Sequence, residues 1–198
     1  VNGTLYTFRI EVLGPSDSLM GYSPNFAGTP ELLVQNMSLL GRWSADVPLN
    51  YGGIWGYVDP ESGREYALLT FRNGGVVGLI DIDSPTPSFI TNFGGLGSDT
   101  KEVKTYRNYM FVLSEYGPIG VYDLSLLPNP PPNTPVSTID PAGGGSHNLL
   151  IDGHYLYVVG NHAVGGLEIF DIINPAAPVK VGQFQPFYYH DITIRRDT

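Results

Sequence analysis

Three polar pairs open successive groups of strands in this chain: Lys101 with Glu102, His147 with Asn148, and His190 with Asp191. Laying NYMFVLS (108–114) on HYLYVVG (154–160) sets Tyr109 over Tyr155, and the same step of 46 residues sets the first pair over the second. The next unit brings His190 and Asp191 to that place, while in the unit aligned through Tyr66 it is held by Gly52 and Gly53, just before Ile54 and Trp55. Carboxylates, an amide and imidazoles that converge suit a polar ligand or a divalent cation. Hard oxygens favour Ca²⁺ and ring nitrogens favour transition metals. Lys101, Glu102, His147, Asn148, His190 and Asp191 are therefore the candidate ligand ring, with Glu102, His147, His190 and Asp191 as its candidate metal ligands. The same pairs also fit polar groups that only satisfy backbone and water.

Elements that could make such pairs converge are written in the spacing of the chain. An apolar strand running into an aspartate and a proline-rich turn occurs three times, as GLIDIDSPTP (78–87), GVYDLSLLPNPP (120–131) and LEIFDIINPAAP (167–178). Asp81, Asp123 and Asp171 stand 42 and 48 residues apart, a period of blades or solenoid coils. Runs of five to seven apolar or β-branched residues, bounded by Gly, Pro, Asn or Asp, divide each unit into four short strands. Three complete meanders follow, over about 52–93, 101–140 and 147–184, with HDITIRR (190–196) as the start of another and MSLLGRW (37–43) as the last strand of an earlier one. Four-stranded repeats of this length bury both faces by radial stacking. The expected fold is all-β, a β-propeller of antiparallel blades flanked by partial blades at both ends. In it the first strand of each blade lines the central channel, so the polar pairs form an axial ring. A β-sandwich and a closed four-bladed ring are the competing architectures. Residues 1–36, with the Gly, Pro and Ser-rich stretch 13–31, read as an irregular segment or the end of an upstream blade.

Composition narrows the function classes. The 25 glycines and 17 prolines among 198 residues suit short strands and tight turns and disfavour helix. A net charge of −9, from 10 basic and 19 acidic residues, opposes binding to nucleic-acid phosphates. No apolar run is long enough for a helical membrane span, and the first residues lack the pattern of a signal peptide. The absence of cysteine removes disulfides, thiolate nucleophiles and thiolate-bound metals. There is no G-x-S-x-G, HExxH or P-loop sequence. The repeated Asp81, Asp123 and Asp171 read as turn caps rather than acid–base groups, because aspartate in a corner bonds its own backbone. Trp55 reads as a core residue between blades rather than a stacking surface.

Taken together, WGYVDPESGREYALL, EVKTYRNYMFVLSEYGPIGVYDLSLL, SHNLLID, GGLEIFDIINPAAPVKVGQF and YYHDITI resemble the choice-of-anchor B family of surface proteins, built from LVIVD-type repeats. The likeness runs over about 37–196. It implies a β-propeller on exported bacterial or archaeal proteins, held by a separate C-terminal anchor that is not in this sequence, and a family domain longer than this chain. The resemblance implies polar pairs matching Glu102, His147 with Asn148, and His190 with Asp191. The chain departs from the pattern at Gly53, where the family tends to carry an acidic or amide residue, and at Glu102, more often aspartate. No catalytic activity comes with the resemblance.

The expected function is thus a non-enzymatic extracellular or cell-surface propeller mediating binding or assembly, with a protein or glycan partner and a polar or metal site at the channel mouth. One alternative is a hydrolase or lyase using Glu102, His147, His190 and Asp191 there. Another is a structural subunit of a larger surface complex, covering the edge strands and apolar blade faces of an open arc.

Overall fold

The computed structural model describes residues 6–8, 11–13, 19–22, 26–28, 39, 41–45, 50–72, 76–83, 86–94, 96–161, 163 and 165–195. The chain divides into two compact units, Val1–Leu40 and Gly41–Thr198. Among the described residues every regular element is a strand.

In the first unit β1 (Tyr6–Phe8) pairs antiparallel with β4 (Phe26–Gly28), and β2 (Glu11–Leu13) with β3 (Leu19–Tyr22). These strands lie within residues 1–36, expected as an irregular segment or the end of an upstream blade, and each is three or four residues long, too short for an alternating pattern to show in the sequence.

The second unit holds three four-stranded antiparallel sheets, each a meander in chain order. The first runs β5 (Tyr51–Val58), β6 (Glu65–Phe71), β7 (Val76–Asp81), β8 (Ser88–Phe93). The second runs β9 (Ser98–Tyr106), β10 (Tyr109–Tyr116), β11 (Ile119–Asp123), β12 (Ser137–Ile139). The third runs β13 (Asn148–Asp152), β14 (Tyr155–Val159), β15 (Leu167–Asp171), β16 (Val179–Phe184).

Strand β10 shows how the sheets stack. Met110 through Ser114 are all buried, although alternate residues point to opposite faces. Met110 and Val112 enter one core with Tyr66, Leu68 and Leu79 of the first sheet. Phe111 and Leu113 enter a second core with Leu149, Leu156 and Val158 of the third. A sheet apolar on both faces, with a sheet packed on each, is a propeller blade. The three sheets are consecutive blades of a β-propeller, and β9 lies beside both β5 and β13, the first strands of its neighbours.

The three repeated aspartates close turns at the outer strands. Asp81 accepts a hydrogen bond from the Asp83 N–H at 3.0 Å, Asp123 from the Ser125 N–H at 2.9 Å and Asp171 from the Ile173 N–H at 2.8 Å. This shared acceptor geometry, two residues ahead, is the Asx-turn that the sequence pattern predicts. Asp81 also holds Arg64 and Asp123 the Asn108 amide, at 3.0 Å in the latter case.

Of the expected strand at 190–196, residues 190–195 are described and carry no strand, like the described residues 185–189 before them. A strand requires a paired neighbour for its N–H and C=O groups, and none lies beside this segment among the described residues. Residues 39 and 41–43 are likewise not in a strand, and the rest of MSLLGRW lies outside the described residues.

Candidate ligand site at the channel mouth

The site begins with two irregularities in the first strands. In β9, Leu113 faces Glu102 but Ser114 faces Thr100, so Lys101 is an extra, unpaired residue. This β-bulge breaks the two-residue alternation: Thr100 and Val103 are buried, three positions apart, and both Lys101 and Glu102 escape the core. Strand β5 is bulged at the equivalent place, where Tyr51 and Ile54 face Phe71 and Leu69 with Gly52 and Gly53 between them.

The glycines are sterically required. A Cβ on Gly52 would lie 2.5 Å from the Thr70 hydroxyl and 2.8 Å from the Thr100 carbonyl, and one on Gly53 would lie 2.8 Å from the Lys101 carbonyl. Backbone of the second blade occupies the space that a polar side chain would need here. The Thr70 hydroxyl joins the strands, donating to the Lys101 carbonyl at 3.1 Å and accepting the Gly53 N–H.

Gly52, Gly53, Lys101, Glu102, His147 and Asn148 line one pocket of about 370 Å³, completed by Tyr51, Arg72 and Asp191. Five of the six ring residues expected from the sequence thus share one cavity. The sixth, His190, lies against His147 with the rings tilted and their centroids 3.9 Å apart, so the two imidazoles separated by 43 positions meet.

A chain of charges crosses the site. Arg72 grips Asp99 through Nε at 3.0 Å and Nη2 at 3.3 Å. Lys101 Nζ lies 2.9 Å from Asp99 and 2.6 Å from Glu115, and His147 Nδ1 lies 3.3 Å from Glu115. Asp99 and Glu115 lie between the Thr100–Ser114 and Ser98–Tyr116 pairs of the β9–β10 ladder, on either side of the Lys101 cation that both contact. Burial pushes both carboxyls up, but Arg72 and Lys101 on Asp99, and Lys101 and His147 on Glu115, outweigh it and hold both below the ordinary range. Burial also works against the charge on Lys101, and its two carboxylates reverse that and raise it. Asp99 adopts a left-handed backbone with φ of 63°, tolerated by aspartate at a cost of about 1 kcal/mol.

At the far side Asn148 Nδ2 donates to Asp191 at 2.7 Å, and His190 Nδ1 lies 3.1 Å from the other carboxylate oxygen. These two contacts, His190 first, lower the Asp191 carboxyl. His147 is fixed from below: its N–H donates to Val159, and Gly160, at φ of 76°, leaves no room for a Cβ, which would lie 2.3 Å from the His147 Cβ.

The four-residue metal set expected from the sequence is not assembled. Glu102 turns to Lys104 at 2.9 Å, and both Asp191 oxygens are engaged by Asn148 and His190. Among the described residues no three His, Asp or Glu side chains group closely enough to hold a metal ion. Trp55 departs from the core reading: it is 37% exposed, donates its Nε1–H to Thr105 at 2.9 Å, and lies under Lys104 Nζ at 4.5 Å. The ring residues missed from the sequence are Arg72, Asp99 and Glu115. The Glu115 signal was present, since the Arg107–Asn108 hairpin folds Tyr109 onto Tyr106 and carries Glu115 back beside Lys101.

Comparison with known proteins agrees with this architecture. Residues 143–185 match the LVIVD repeat. The LVIVD match spans the third blade, from the loop ahead of β13 to the end of β16, and so covers His147 and Asn148. No curated protein matches the chain. Among solved structures the chain resembles a candidate 6-phosphogluconolactonase from Bacteroides uniformis ATCC 8492, with a TM-score of 0.57 and 16% identity over 96% of this chain. That alignment takes in 55% of the other protein, so this chain spans about half its length. The likeness is one of fold. No helix among the described residues is long and apolar enough to cross a membrane.

Proposed function

We propose that this propeller is a non-catalytic binding module of the cell surface or extracellular space, and that the channel mouth takes a glycan. The observation that carries the reading is the convergence of polar pairs from two blades, with Asp191, on one pocket. Glu102, Asn148 and Asp191 offer acceptors and donors for hydroxyl groups, and Tyr51, 45% exposed, offers a ring face at the rim. With neutral histidines the charged groups named above, Arg72, Lys101 and Lys104 against Asp99, Glu102, Glu115 and Asp191, sum to −1, which disfavours an acidic ligand. Their mutual ion pairs make a preorganised recognition surface rather than an activated nucleophile and base. The surface location rests on the resemblance to exported LVIVD-repeat proteins.

A hydrolase or lyase at the same mouth is the second reading, favoured by the fold neighbour described as a lactonase. Binding to an array of neutral and amino-sugar glycans tests both. Saturable binding lost in Asn148→Ala and Tyr51→Ala, with no turnover, supports the binding module. Ester, lactone or glycoside turnover abolished by His147→Ala overturns it, as does an array with no binding.

A further inference from the structure

We propose that His147 and His190 together bind one divalent transition-metal ion through their Nε2 atoms, at the rim of the channel mouth. Each imidazole turns Nδ1 to a carboxylate, His147 to Glu115 at 3.3 Å and His190 to Asp191 at 3.1 Å. A carboxylate only accepts, so each ring in its neutral form carries its proton on Nδ1 and presents a lone pair at Nε2. Carboxylate behind imidazole is the outer shell that orients and strengthens histidine ligands to metals. Among the described residues no protein group hydrogen-bonds either Nε2.

The rings lie 3.9 Å apart between centroids and are inclined at 47°. Two nitrogens on a tetrahedral ion, each about 2.0–2.1 Å from it, are about 3.3 Å apart, the same scale as the separation of the two rings. His147 is rigid, held through its backbone and against Gly160. His190 is the adjustable partner, its side chain 62% exposed on a segment outside any sheet.

Charge favours a cation here. Asp191 is approached by an amide and an imidazole but by no lysine or arginine among the described residues. An ion on His190 would supply the missing positive charge. Paired imidazoles select Zn²⁺, Cu²⁺ or Ni²⁺ over Ca²⁺, and with two protein ligands the other positions stay open to water or to a bound molecule.

The inference concerns the rim of the proposed glycan pocket, yet it does not require a glycan to bind. The test is calorimetric titration of the chelator-stripped full chain with Zn²⁺, with Ca²⁺ as control, alongside thermal melts of every variant without metal. We expect one Zn²⁺ per chain, affinity reduced at least tenfold by His147→Ala and by His190→Ala separately, and a tenfold loss for Glu115→Gln. His190→Ala, at an exposed position, should melt as the parent does. Binding unchanged by His190→Ala, or no saturable Zn²⁺ binding, overturns the site. Glycan arrays run with and without chelator separate the two claims: metal binding without glycan binding leaves this site standing and removes the pocket reading, and the reverse outcome does the opposite.

Discussion

Lys101→Met is the sharpest perturbation of the charge network. The lysine side chain is 14% exposed and sits between Asp99 at 2.9 Å and Glu115 at 2.6 Å, themselves 22% and 13% exposed. Methionine keeps the apolar stem and removes the cation between the two carboxylates, while Arg72 stays on Asp99 and His147 on Glu115. Breaking a buried pair by deleting one partner costs about 3–5 kcal/mol, whereas an exposed pair is worth about 0–1. This site lies toward the buried end but opens on a pocket, so about 2–3 kcal/mol is expected. For a chain of this size that lowers the melting temperature by about 5–10 °C. The loss should also depend on pH. In the parent both carboxyls are held low, so their stabilisation is present above the unfolded carboxylate pKa and disappears as pH falls through the lower folded values. In the variant the lowering by Lys101 is gone and both folded values rise relative to the parent, so the deficit is full at pH 7 and closes as the carboxylates protonate, from about pH 5 downward. Urea denaturation of parent and variant across that range, with constant slope, measures the gap. A deficit below about 0.5 kcal/mol at pH 7, or one that persists unchanged into acid, would refute the reasoning.

Three further outcomes follow from single contacts. Gly160→Ala should cost about 2 kcal/mol, from a left-handed backbone plus a Cβ 2.3 Å from that of His147, and should shift the His147 resonances in NMR spectra while those of Leu68 stay in place. Glu168→Ala should cost about 2 kcal/mol by urea denaturation, because this carboxylate, 2% exposed, holds Lys180, the Asn161 amide at 3.1 Å and the Ala142 N–H at 3.0 Å. Leu68→Ala, fully buried between the first and second blades, should cost about 2–5 kcal/mol without changing any interaction at the channel mouth, which separates stability from ligand binding.

Much of this architecture is legible locally. Strand runs bounded by turn residues mark all twelve blade strands, because alternation and turn chemistry act over a few neighbours. The step between Tyr109 and Tyr155 places Lys101 over His147, and the structure brings both to one pocket. What local pattern does not show is the bulge. Lys101 becomes the extra residue only when β9 is paired with β10, and that pairing sends Glu102 to Lys104 and Lys101 between two carboxylates. The glycines at 52 and 53 look like a gap in the polar ring until the neighbouring blade is present and its carbonyls fill the space.

The sequence by itself therefore determined the twelve strands of the three blades, the blade repeat and the positions from which polar side chains start. It did so because strand runs and turns depend on short-range periodicity. Tertiary structure alone decided which of those side chains pair, as ion pairing and ring contact depend on distances across blades. His147 and His190, Arg72 and Asp99, and Lys101 and Glu115 are brought together through a bulged strand, a left-handed aspartate and a chain return that the pattern does not encode.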